Sequence, residues 1–144
     1  MEQLDSVINY GIMGLLVFMS VVSVAVAVER YLTFKRIRIE AFSDKTDLEF
    51  ELTKRLHLIA TIASNAPYIG LLGTVLGIML TFYTIGREGL LDTGQIMMGL
   101  ALALKATAVG LLVAIPSVIF YNLLLRKVKV ILMRWEIENG RKRI

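Results

Sequence analysis

Cysteine is absent from the 144 residues. That excludes a disulfide scaffold, a thiolate metal site and a thiol nucleophile. Histidine occurs once, as His57, so a multi-histidine metal centre is excluded too. There is no nucleophile–base pair, metal-ligand cluster or phosphate-binding glycine loop, and the expectation is neither an enzyme nor a cofactor carrier. Charge is also missing over long stretches. Ser6 to Val28 and Leu58 to Gly86 carry none, and Thr93 to Leu125 carries one, Lys105. Proline occurs twice, as Pro67 and Pro116, each inside one of these stretches.

What remains is apolar. Hydrophobic residues make up 56% of the chain, above the 45–50% or so usual for a soluble domain. A bilayer core of about 30 Å takes about 20 residues of helix, and all three charge-poor runs reach that length. The composition predicts an all-α membrane protein of one domain. Its first span covers about 8–28, a loop about 29–58, the second span about 61–86, the third about 93–125 and a helical tail 126–144.

Charge sets the orientation. Glu2 and Asp5 precede the first span, with no basic residue beside them, while Arg30, Lys35, Arg36 and Arg38 follow it. Despite the Ala25-Val26-Ala27 sequence, this is the pattern of an uncleaved anchor. The loop between the second and third spans has Arg87 beside Glu88 and Asp92, and the tail carries Arg126, Lys127, Lys129, Arg134, Arg141, Lys142 and Arg143. Basic residues stay cytoplasmic, so the N-terminus is predicted outside and the tail inside. The net charge of +4 is topology charge, compatible with anionic lipid, and no nucleic-acid partner is expected.

Local signals refine the elements. The first helix is predicted to continue to about Ala41. Thr46 with Glu49 three residues on has the form of a capping box, starting a helix that runs through Leu56 into the second span. Asn139-Gly140 offers a stop for the tail.

The second span carries Ala60, Ala63, Pro67, Gly70, Thr74, Gly77, Thr81 and Thr84 at helical spacing, and the third carries Ala103, Thr107, Gly110, Ala114 and Ser117. Two readings stand side by side. Small residues let helix backbones approach in lipid; the same stripes also suit the wall of a lumen. Thr74 and Thr107 each fall at the middle of their span, so two hydroxyls are expected at one depth. Pro67 and Pro116 are read as candidate bends at a flared cytoplasmic mouth, or as prolines that membrane helices tolerate. Lys105, about 200° round the helix from Thr107, is read as a countercharge at an interface or as a snorkelling side chain. No Asp, Glu or His lies inside a span. A proton path would need an acid supplied by a partner.

Ala66-Pro67-Tyr68-Ile69-Gly70-Leu71-Leu72-Gly73-Thr74-Val75-Leu76-Gly77-Ile78 resembles the second-span signature of the ExbB/TolQ/MotA family, and 101–116 (ALALKATAVGLLVAIP) with Tyr121-Asn122 resembles its third-span signature. The resemblance is closer to ExbB-type members than to MotA. It implies a homo-oligomer, a pentamer, in the inner membrane of a Gram-negative bacterium. It also implies an ExbD-like single-span partner whose Asp binds the proton, and a TonB-like protein energised by the proton motive force. By the same resemblance, Thr74 and Thr107 are pore-facing, with Gly70, Gly77, Thr81, Ala103, Gly110 and Ala114 along the same stripes. Where better-known members place a Glu five residues before the third-span Thr, this chain has Leu102, and Lys105 follows. A TolQ-like role in envelope maintenance and a non-conducting scaffold are the alternatives.

Overall fold

A computed structural model describes residues 2–89 and 92–142. Among these residues four α-helices follow one another: α1 (Glu2–Arg36), α2 (Lys45–Thr53), α3 (Leu56–Glu88) and α4 (Thr93–Lys142), with a 3₁₀ turn at Ile39–Ala41. Among the described residues, α1, α3 and α4 are long and apolar enough to cross a membrane. Large apolar side chains such as Phe18, Met79 and Leu112 stand exposed on them, the surface expected of helices bathed in lipid or covered by neighbouring copies.

Helices α3 and α4 form an antiparallel pair, and α1 lies across one side of it. Leu16 of α1 is fully buried among Ile62, Ala66, Val113 and Ala114. Toward the basic end a second core gathers Phe34 from α1, Leu48 and Leu52 from α2, Ile59 from α3, and Leu124 and Val128 from α4. The 50 residues of α4 make a rod of about 75 Å at 1.5 Å per residue. That is more than twice the bilayer core, so α4 projects as a stalk. Both α3 and α4 run helically through Pro67 and Pro116.

The connections differ from the sequence expectation. Helix α1 ends at Arg36 rather than Ala41. Beyond it, Ile37, Ile39 and Phe42 pack onto the basic-end core, and the Phe42 carbonyl accepts the Trp135 indole N–H at 3.0 Å. Those contacts need a turned chain. The capping box is not formed. Asp44 is the cap, extended at φ −124°, its carboxylate accepting the Thr46 N–H at 3.1 Å. The helix it starts does not continue into the second span. It stops at Thr53, and Arg55 takes the left-handed conformation at φ 66° before α3 begins. That break lets Leu48 and Leu52 turn into the core. Nor does Asn139-Gly140 stop α4: the Asn139 amide donates to the Trp135 carbonyl four residues back at 2.9 Å and stays within the helix. Of the basic residues in the tail, Arg143 lies outside the described residues.

The basic end is held by polar ties. Arg30, 3% exposed, donates to the Glu51 carbonyl near the end of α2 at 2.9 Å and to Glu29 at 2.7 Å; Arg55 also pairs with Glu29, at 2.8 Å. Lys45 is bonded to Glu136, whose carboxylate holds the ammonium above the usual lysine range. At the other end Gly89, at φ 86°, closes α3 with its N–H on the Ile85 carbonyl at 3.0 Å, a conformation that suits a residue without Cβ.

Candidate functional site

The small-residue stripes meet each other. A Cβ built on Gly70 would stand 2.6 Å from the Ala106 carbonyl oxygen, and one on Gly110 would stand 2.7 Å from that of Ala66. Gly77 faces Ala103, where an added Cβ would come within 2.8 Å of the Ala103 methyl. Gly73 is hemmed by Ala106 and by Ile12 of α1. The two backbones therefore approach closely enough that a side chain at these positions would clash.

At the centre of this seam the two threonines touch. Thr74 Oγ1 and Thr107 Oγ1 are hydrogen-bonded, and Thr74 Oγ1 lies 2.9 Å from the Ala103 carbonyl oxygen. Its own i−4 carbonyl, Gly70, is at 3.4 Å. Thr81 and Thr84 behave differently, each donating to its own i−4 carbonyl at 2.9 Å, the usual habit of a threonine in a helix. A hydroxyl has one proton to donate. When Thr74 donates to Ala103, Thr107 is left to donate to Thr74, and the chain runs from Thr107 through Thr74 to the backbone. Thr74 is only 7% exposed, while Thr107 is half-buried.

The remaining residues of the stripes divide the same way. Gly70, Ala103, Gly110 and Ala114 are buried within the protomer, whereas Gly77 and Thr81 are half-buried. Lys105 and Leu102 are both exposed, and Lys105 has no hydrogen-bond or ion-pair partner among the described residues. A cavity of about 320 Å³ opens between α1, α3 and α4 at the end bearing Asp5 and Glu88. It is lined by Asn9, Thr81 and Thr84 and reaches inward to Gly73 and Ala106, behind Thr74. Among the described residues no cluster of His, Asp and Glu has the form of a metal site.

One buried polar contact has no sequence signal. Ser23 of α1 and Ser117 of α4 share a hydrogen bond of 2.7 Å, and Ser117 also donates to the Val113 carbonyl at 2.8 Å. Ser117 stood out in its stripe. Its partner lies in a run of valines and alanines, where only depth from the basic flank would have paired the two.

Residues 13–137 match the MotA/TolQ/ExbB proton channel family. The chain belongs to that family. Within it, similarity is high to the biopolymer transport protein ExbB of Aquifex aeolicus, 61% identical over 140 residues, 97% of this chain and 95% of that protein. The putative biopolymer transport protein ExbB-like 2 of Helicobacter pylori is 53% identical over 134 residues, 93% of this chain and 89% of its own length. The Tol-Pal system protein TolQ of Haemophilus influenzae is 45% identical over 80 residues, 56% of this chain and 35% of that protein. With three membrane-capable helices and ExbB relatives along nearly its whole length, the chain is a multi-pass membrane protein of a channel family. Both threonines fall within the matched segment.

Proposed function

We propose that this chain is the ring-forming subunit of a proton channel in a bacterial inner membrane, with its N-terminus periplasmic and its α4 stalk cytoplasmic. Five copies would surround the single span of an ExbD-like partner, and proton flow would energise a TonB-like protein. One observation carries this reading. The Thr107–Thr74–Ala103 chain lies at the middle of two spans that hold no titratable carboxylate or imidazole.

The chemistry of that arrangement fits an acid from outside. Threonine does not store a proton near neutral pH, but its hydroxyl can turn. With Thr107 donating to Thr74, its free lone pair accepts from a protonated carboxylic acid. With Thr107 turned outward, its proton is offered to a carboxylate, and Thr74 donates inward to Thr107 or to Ala103. The pair thus complements both protonation states of a guest carboxyl without carrying charge itself. In a low-dielectric setting such a bond weighs more than in water, so each protonation event changes how tightly the guest is held at that subunit. The cavity behind Gly73 and Ala106, with Asp5 and Glu88 at its mouth, supports access for water from the periplasmic side. Gly70, Gly110 and Ala103 contribute by close packing, which fixes the depth of the two hydroxyls. Lys105 serves as an interface countercharge on the far side of α4.

Val substitution tests it, since Val keeps the shape of Thr and removes the hydroxyl. The T107V chain, co-expressed with its single-span partner, is expected to assemble at wild-type mass and to lose most receptor-dependent nutrient uptake. Full uptake by an assembled T74V/T107V double variant sinks the proposal. A TolQ-type role is second, since the TolQ likeness covers 35% of that protein against 95% for ExbB.

A further inference from the structure

On the face of α1 that looks away from α3, a groove of about 740 Å³ runs between α1 and the middle of α4. Its walls are apolar, with Val28 and Phe34 on one side and Phe120 and Leu123 on the other. Its rim is basic. Lys35, Arg126, Lys127 and Arg134 all border it, at the point where the uncharged stretches of both helices end. Two of these cations converge: the Lys35 and Lys127 ammonium groups lie 4.6 and 4.3 Å from the centroid of the same Tyr31 ring.

That convergence is unbalanced. None of the four basic residues has a carboxylate within ion-pair distance among the described residues; the three ion pairs there use Arg30, Lys45 and Arg55. The face of one tyrosine offsets a cation only weakly at an exposed site. Two like charges on one ring therefore leave positive charge to be neutralised by an anion. The groove beneath is apolar and begins at the membrane boundary, so the anion fitting both features carries a hydrocarbon chain.

We propose that this groove binds one anionic phospholipid of the cytoplasmic leaflet per chain. The phosphate sits by Lys35 and Lys127 at Tyr31, Arg126 and Arg134 extend the basic collar, and one acyl chain lies along Val24, Val28, Phe120 and Leu123. The site lies on a different side of the bundle from the threonine pair, and the proposal stands or falls independently of proton conduction. Its consequence is that α1 and α4 are stapled at the boundary by a lipid.

The full-length oligomer, purified in mild detergent, is relipidated with phosphatidylcholine or with phosphatidylcholine containing phosphatidylglycerol, and bound lipid is counted by native mass spectrometry. The expected result is retention of one phosphatidylglycerol per chain and no comparable retention of phosphatidylcholine. K35Q/K127Q is expected to weaken retention about thirtyfold with the oligomer mass unchanged. K54Q/K142Q, which removes equal charge outside the groove, is expected to bind as wild type. Equal retention of both lipids overturns the proposal, and so does equal loss in the two double variants, which would mean general surface attraction. Dissociation of the K35Q/K127Q oligomer overturns it as well, by showing that a neighbouring copy fills the groove.

Discussion

Gly70 and Gly110 face each other backbone to backbone: a Cβ added to Gly110 would stand 3.0 Å from the Gly70 Cα. Substituting either residue pushes α3 and α4 apart at the level of the threonine pair. For G70A or G110A we expect a stability loss of about 1–3 kcal/mol, read as a lower unfolding temperature of the purified oligomer. Gly86, with nothing within 4 Å of an added Cβ, is the control, and G86A is expected to match or slightly exceed wild type.

The threonine pair should show coupling. T74V and T107V each break the same bond, so their destabilisations should not add. A double-mutant cycle on thermal or denaturant unfolding is expected to give an interaction of about 1 kcal/mol. Strict additivity would mean that the two hydroxyls do not meet.

The serine pair should be asymmetric. Ser117 has a second acceptor in the Val113 carbonyl, whereas Ser23 has only Ser117. S117A leaves a buried hydroxyl without its partner and is expected to cost about 1–2 kcal/mol. S23A leaves Ser117 bonded and should cost less. The double variant S23A/S117A should be more stable than S117A alone, a reversal that unfolding in detergent can check.

Arg30 joins α1 to the end of α2 through the Glu51 carbonyl. R30M keeps the bulk of the stem and removes the donors. Amide hydrogen exchange is expected to speed up over residues 48–56 while the middle of α3 stays protected, with a global loss of about 1–3 kcal/mol. R30K should not restore protection, because a single ammonium on a shorter reach replaces a planar fork that serves two acceptors at once.

The spans and the shared depth of Thr74 and Thr107 were legible because bilayer thickness and charge placement act on sequence directly, without knowledge of neighbours. The junctions were not. Where α1 stops depends on Phe42 and Ile39 finding Trp135 and its surroundings, contacts between residues some ninety positions apart. The break at Arg55 likewise follows from burial of Leu48 and Leu52 rather than from any local breaker. The small-residue stripes were visible but ambiguous. Spacing marks the close-packing face of a helix, and only the fold shows that Gly70 meets Gly110 of the same chain.

Helix α4 stays helical from Thr107 through Pro116 to Trp135, and Trp135 holds the α1–α2 connection through Phe42. A twist applied at the bilayer centre would therefore be carried along a single helix to the collar of loop and short helix outside it. The lever also works backward: a ligand that clamps the collar would stiffen the membrane half of the molecule from a distance.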